Sequence, residues 1–208
     1  MTDALTETER AERPDRPLRA DARRNRERIL ESARLVFAES GADAQMDDVA
    51  HRACVGVGTV YRHFPTKEAL MVELVRQKFR LFSAAVREAV EQDGEPFAVL
   101  ADVLRRNAQA AARDATMQHA LAGGDEHIWT QVQPEQQELS ALTEALIARA
   151  RRAGTIRSDI NAADIAMLMC GVSATMVHNA PGFAWHRHLE LVIDMLRARV
   201  PVAGSPHR

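Results

Sequence analysis

Cysteine is scarce in this chain, with two residues, Cys54 and Cys170, among 208. That is too few for a disulfide framework, and their neighbours show no metal-ligand spacing. The composition points to a reducing cytoplasm, with no metal and no cofactor. Surplus charge of one sign is also missing. The 27 basic and 29 acidic residues leave a net charge of −2, which excludes a uniformly basic surface that coats nucleic acid. Any nucleic-acid site must be a local patch. The N-terminal stretch MTDALTETERAERPDRPLRA lacks the apolar segment of a secretion signal. The longest nearly apolar run, residues 165–177, falls short of the ~20 residues that a bilayer demands, so no membrane span is expected. Alternation with a period of two is absent beyond a few residues, and no internal repeat of fixed period is visible.

What abounds favours helix: 36 alanines, and arginine at 25 of the 27 basic positions. Apolar residues recur at helical spacing, as in Phe97, Leu100, Leu104 and Ala108, in Leu139, Leu142, Leu146 and Ala150, and in Leu189, Val192, Leu196 and Val200. The fold class expected is all-α. About nine helices are read at residues 20–40, 47–53, 57–64, 66–91, 97–113, 117–121, 135–153, 162–179 and 184–199. Gly41, Pro65, Gly154 and Pro181-Gly182 serve as stops, and Thr66 with Glu68 as the capped start of the long fourth helix. Residues 1–18 and 201–208 are read as a disordered arm and tail.

The informative stretch is Met46 to Leu70, MDDVAHRACVGVGTVYRHFPTKEAL. Two helices of seven or eight residues joined by a short turn have the proportions of a helix-turn-helix. Val49, Ala50 and Ala53 form the inner face of the first. Val60 and Phe64 pin the second against it and against Phe37. That leaves Gly56, Val57, Gly58, Thr59, Tyr61, Arg62 and His63 at the exposed start and outer face of the second helix. Glycine inside a helix costs ~1 kcal/mol against alanine, so Gly58 needs a reason, and close approach of another surface supplies one. Thr59, Tyr61 and His63 are neutral donors suited to phosphate oxygens, and Lys67 adds a charge. Upstream, Arg19, Arg23, Arg24, Arg26 and Arg28 form a basic cluster against only Asp21 and Glu27.

The run Gly58-Thr-Val-Tyr-Arg-His-Phe64, followed by Thr66-Lys-Glu-Ala-Leu70 and preceded by Asp48-Val-Ala50 and Ala53, resembles the signature of the tetracycline-repressor-like (TetR) transcriptional regulators. The resemblance spans roughly residues 22–81. Beyond that it rests on architecture and on the passage Arg152-Ala-Gly-Thr-Ile-Arg-Ser-Asp159. It implies a helix-turn-helix DNA-binding domain at 19–66, with its motif at about 45–64, and a ligand-binding and dimerisation domain at 67–200. Two positions depart from the family pattern. Cys54 stands where glycine is usual in the turn, and a left-handed backbone there would cost ~1–2 kcal/mol. Gln45 replaces a capping threonine. The residues expected to face DNA are Arg23, Arg24, Arg28, Gln45, Met46, Gly56, Val57, Gly58, Thr59, Tyr61, Arg62, His63 and Lys67. The arginines would track the backbone without reading sequence.

Downstream, helix 162–179 is apolar nearly all round and must be covered on two sides. With helix 184–199 it would form half of a four-helix bundle completed by a second chain. The interface expected comprises Ala166, Cys170, Gly171, Ala174, Val177, Leu189, Val192 and Leu196. The middle helices carry candidate lining for a cavity that takes a small apolar or amphipathic ligand: Phe82, Leu100, Leu104, Met117, His119, Trp129, Leu142, Leu146 and Met169. The segment from Gly123-Gly124 to Thr130 is read as a mobile entrance. His186 and His188, two apart on a helix, point to different sides and do not suggest a metal site. No nucleophile-base pair, phosphate loop or paired carboxylates are visible, which argues against an enzyme. The function expected is a cytoplasmic homodimeric repressor of an approximately palindromic double-stranded operator, released by a small molecule. The alternative is a regulator without an inducer, answering to a protein partner or acting as an activator.

Overall fold

The computed structural model describes residues 15–113, 116, 118, 120, 126–177 and 184–198. Among these the protein is all-α, with nine helices: α1 (Asp15–Ser40), α2 (Met46–Arg52), α3 (Val57–His63), α4 (Lys67–Glu91), α5 (Pro96–Ala112), α6 (Glu126–Gln131), α7 (Gln133–Arg152), α8 (Ala162–Val177) and α9 (Trp185–Leu196). A 3-10 turn, Gly41–Asp43, links α1 to α2. Met117, His119, the Gly123-Gly124 turn, Val200 and the tail lie outside the described residues, as does residue 1–14 of the arm. Residues 15–18 of that arm are helical, contrary to expectation. Pro17 is tolerated there because the first-turn N–H groups of a helix have no intrahelical partner. The second correction is α6: residues 126–130, read as part of an entrance loop, form a helix with Ile128 buried. Among the described residues, no helix is long and apolar enough to cross a membrane.

The chain divides after Leu70 into two compact units. In the first, α2 packs against α1 and α3. Ile29, Ala33, Val36 and Phe37 of α1, Val49 and Ala50 of α2, and Val60 and Phe64 at α3 are all buried. The caps explain the boundaries. The Asp48 carboxylate accepts the Gln45 N–H at 3.3 Å, while the Gln45 side chain turns back and donates to the Asp43 carbonyl at 2.8 Å. Asp48 thus supplies the returning half of a capping box, satisfying the N–H of residue 45 itself. Thr66 Oγ1 accepts from the Ala69 N–H at 3.1 Å and opens α4.

The turn between α2 and α3 places Cys54 at φ 51°, the one non-glycine residue with positive φ among those described. A Cβ in that region meets its own carbonyl, so Cys54→Gly is expected to stabilise the protein by about 1 kcal/mol. Thermal denaturation checks this, and an unchanged or lower melting temperature would show that the exposed side chain stabilises the turn.

The second unit has its own core. Val86, Phe97, Leu100, Val103, Leu104, Leu146, Ile147, Ile165, Val172, Leu189, Val192, Ile193 and Leu196 form one buried cluster. Here α5, α7, α8 and α9 pack on one another, and α6 packs on α7. Glu95 caps α5, its carboxylate accepting from Phe97 N (2.9 Å) and Ala98 N (2.7 Å). The Phe97 N–H bond holds the Glu95 carboxyl below the usual carboxylate range. Gly154 ends α7 at φ 67°, a conformation glycine adopts without steric cost, and Thr155 N then returns to the Ala150 carbonyl at 3.0 Å. Asn161 and Asp164 cap α8 reciprocally: Asn161 Oδ1 accepts from Ala163 N at 2.8 Å and Asp164 Oδ2 from Asn161 N at 2.9 Å. A two-pronged Arg105–Glu190 pair at 2.7 and 2.8 Å joins α5 to α9. The Arg105 guanidinium lowers the Glu190 pKa.

Candidate nucleic-acid interface and interior cavity

The sequence of α3 sorts its residues by face. Val60 is wholly buried and Phe64, which caps the helix, is buried, so the opposite side turns outward. That side carries Val57 at 39% exposure and Tyr61 at 46%, one turn apart, with Gly58 and Arg62 also exposed. Thr59, His63 and Lys67 are half-buried, and Gly56 and Gln45 are exposed. Nothing lies within 4 Å of where a Gly58 Cβ would stand. The glycine is therefore not demanded by the fold of this unit. The first unit presents a short helix whose outer edge is small at position 58, apolar at 57 and 61, and hydrogen-bonding at 59, 61 and 63. Arg26 lies over the Phe64 ring at 5.3 Å and Lys67 over the Phe37 ring at 5.6 Å, so both cations rest on the aromatic residues that hold the motif.

Two expected contact residues sit elsewhere. Met46 is buried at 6% exposure, because it is the first residue of α2 and its long apolar side chain joins the core. Arg28 donates to the Ala53 and Cys54 carbonyls and clamps the strained turn. Its guanidinium is a structural group of the motif. Arg23 and Arg24 are exposed and pair with Glu27 and Asp21 on the same helix. Exposed pairs of this kind contribute about 1 kcal/mol at most and exchange readily for another anion.

The second unit contains a cavity of about 380 Å³. Of the residues expected to line it, Phe82, Leu100, Leu104, Trp129, Leu146 and Met169 do. Leu142 does not; it is half-buried against the hydrophobic cluster, turned away by its place on α7. Met117 and His119 lie outside the described residues. Sequence reading missed the neutral polar lining: Asn107 on α5, Gln136, Ser140 and Thr143 on α7, and Ser173 on α8. The signal was present. Positions 136, 140 and 143 share the helical stripe of Leu139 and Leu146, where an ordinary core would be apolar throughout. Among the described residues, no group of three His, Cys, Asp or Glu is placed to hold a metal ion.

Residues 29–74 match the family model for bacterial regulatory proteins of the tetR family, and residues 95–198 match that for the SbtR-like transcriptional regulator C-terminal domain. The crystal structure of a TetR transcription regulatory protein from Mycobacterium vanbaalenii is 36% identical, covering 87% of this chain and 99% of that one, with a TM-score of 0.62. The chain belongs to the TetR family. It is a DNA-binding transcriptional regulator. It is also similar to the transcriptional repressor KstR of Mycolicibacterium smegmatis, 29% identical over 66% of this chain and 68% of KstR. The TetR fold is shared with FadR of Bacillus subtilis, solved in complex with stearoyl-CoA, at 19% identity, 81% and 98% coverage and a TM-score of 0.63.

In a TetR protein the last two helices invite comparison with the expected pairing surface, and here the structure corrects the sequence. Leu189, Val192 and Leu196 of α9 are buried in the core of their own chain. Ala166 and Cys170 of α8 edge the cavity and are also exposed, so they remain available to the expected surface; partial burial pushes the Cys170 thiol up. Gly171 and Ala174 are exposed, and the side chain of Val177 lies outside the described residues. The uncovered surface comprises Ala166, Met167, Cys170, Gly171 and Ala174 of α8 with Leu191 and Met195 of α9. The reason for the change on α9 is angular: positions 189, 192 and 196 share one stripe, which faces the core, whereas 191 and 195 lie on another.

Proposed function

We propose that this TetR regulator is a homodimeric repressor acting in the cytoplasm. Its α3 helices enter successive major grooves of an approximately palindromic operator, and a small molecule in the second unit releases it. The observation that carries the reading is the outward face of α3, where Val57, Gly58 and Tyr61 are uncovered while Val60 is buried. A helix in the major groove reads base edges with its outer side chains while neighbouring donors fix phosphate register. Thr59, Tyr61, His63 and Lys67 suit the second task, and Arg23, Arg24 and Arg62 add salt-dependent attraction. Two exposed apolar helix faces, on α8 and α9, supply a self-complementary surface for pairing.

Release would run along α4. This helix begins at Lys67 beside the motif and contributes Phe79, Phe82 and Val86 to the cavity wall. A ligand that fits one position of α4 better than another shifts the population of DNA-competent dimers, and ~1–3 kcal/mol of differential affinity suffices. The complex of FadR with stearoyl-CoA, on the same fold, supports a small-molecule site in this chain.

The test is to incubate the purified protein with sheared genomic DNA, sequence the retained fragments, and screen compounds that displace them. Retained fragments are expected to share inverted half-sites about one helical turn apart, or a multiple of it. Indifference to every fragment at low ionic strength would overturn the reading.

A further inference from the structure

The cavity of the second unit is graded from polar to apolar along one helix. On α7, Gln136, Leu139, Ser140, Thr143 and Leu146 recur at intervals of three and four, so a single stripe forms the wall. Its start is polar and open, with Ser140 exposed and Gln136 half-buried. Its end is apolar and closed: Leu146 is 1% exposed, as are Leu100 and Val103 on the facing α5. Thr143 Oγ1 already donates to the Leu139 carbonyl at 2.8 Å, which leaves it an acceptor toward a ligand. Asn107 and Ser173 complete a set of neutral amides and hydroxyls.

Among the described residues, the charged groups of α4 and α7 beside the polar end pair with one another, and the buried Lys78 donates to the Ala110 carbonyl at 3.1 Å. Glu135, next to Gln136, takes Arg76 at 3.0 Å and Arg80 at 3.5 Å, Arg76 also reaches Glu73 at 3.2 Å, and Arg87 pairs with Glu138. Three arginines of α4 thus meet Glu135 and Glu138 of α7 and Glu73 of α4 itself. An anion drawn into this wall exchanges full hydration for neutral dipoles, whereas a hydroxyl or carbonyl exchanges one hydrogen bond for another.

Resting on the effector site proposed above, we infer that the cavity takes an uncharged amphiphile, an apolar body bearing one hydroxyl or carbonyl oxygen, and discriminates against the carboxylate and the CoA thioester of the same chain. The apolar body lies against Leu100, Val103 and Leu146, and the oxygen lies at Gln136, Ser140 and Thr143.

The test uses the full chain carrying Trp185→Phe, which leaves Trp129 on the cavity wall as the one tryptophan. It is titrated with 1-decanol, sodium decanoate and decanoyl-CoA, following Trp129 emission and the melting temperature. 1-Decanol is expected to bind more tightly than decanoate or decanoyl-CoA by about tenfold or more. Adding Ser140→Arg, at an exposed position, is expected to tighten decanoate severalfold and to weaken 1-decanol, whose hydroxyl loses its Ser140 partner, so that the order of the two probes narrows or reverses in that variant alone. Equal or tighter binding of decanoate or decanoyl-CoA overturns the neutral class while leaving the cavity as a binding site. If no probe moves either Trp129 emission or the melting temperature, the effector-site reading fails and this inference fails with it.

Discussion

Gly58→Leu is expected to leave the melting temperature unchanged or raise it while lowering operator affinity by about tenfold or more. The two effects have separate causes. Position 58 lies inside α3, where glycine is a poor helix former, and a Cβ there meets no other atom within 4 Å. The folded monomer therefore gains helix propensity without a clash. A leucine at the same point stands on the outer edge of the helix, between Val57 and the Tyr61 turn, where the proposed approach to the base edges would be closest. The loss should concentrate in sequence-specific binding. Non-specific binding at low salt rests on arginines such as Arg23 and Arg24 and should change less. Mobility shifts on the operator and on a scrambled duplex, at two salt concentrations, separate the two. Undiminished operator affinity would place α3 outside the groove, and a lowered melting temperature would mean that the glycine serves the fold.

How much of this was legible in the sequence differs between the two units. In the first, every buried anchor named from spacing is buried, because a motif built from seven-residue helices has one inner face and no alternative partners. Cys54 was readable as strained through the resemblance, since the TetR pattern has glycine at that point of the turn and cysteine stands there. Arg28 was not. A basic side chain in a basic cluster reads as a phosphate contact, and only the folded turn shows two carbonyls within its reach. Met46 failed for the opposite reason: proximity to the motif suggested contact, whereas its apolar chain followed the core. In the second unit, helical periodicity located α5, α7, α8 and α9, yet α6 escaped because six residues give too few repeats for a period. The faces of α8 were harder still. A helix that is apolar all round carries no stripe, so cavity wall, core and outer surface cannot be divided until its neighbours are placed. Thus Met167 was missed beside the exposed Ala166 and Cys170 on α8, and on α9 Leu189 and Leu196 stood in for Leu191 and Met195.

That exchange makes the second large effect testable. Met167→Glu combined with Leu191→Glu is expected to yield a folded monomer whose affinity for the intact operator is lower by about two orders of magnitude or more. Met167 is 65% exposed and Leu191 50%, so each carboxylate remains in water in the isolated chain and the cores stay intact. In the proposed dimer the same four carboxylates would be brought onto one apolar patch, where desolvation and mutual repulsion oppose association. A Cβ added at the exposed Gly171 would stand 3.8 Å from His188 Cε1, an ordinary contact, so the fold of the single chain does not require glycine there. Once monomeric, each chain holds one half-site, and the gain from tethering two reading heads disappears. Leu196→Glu is the contrasting variant. That residue is wholly buried in the cluster of its own chain, so the substitution should unfold the second unit instead of releasing an intact monomer. Sedimentation velocity, far-ultraviolet circular dichroism and operator titration distinguish these outcomes. A double variant that still sediments as a dimer would place the pairing surface elsewhere on the chain. If instead it is a monomer with full operator affinity, one reading head suffices, and the palindromic operator is wrong.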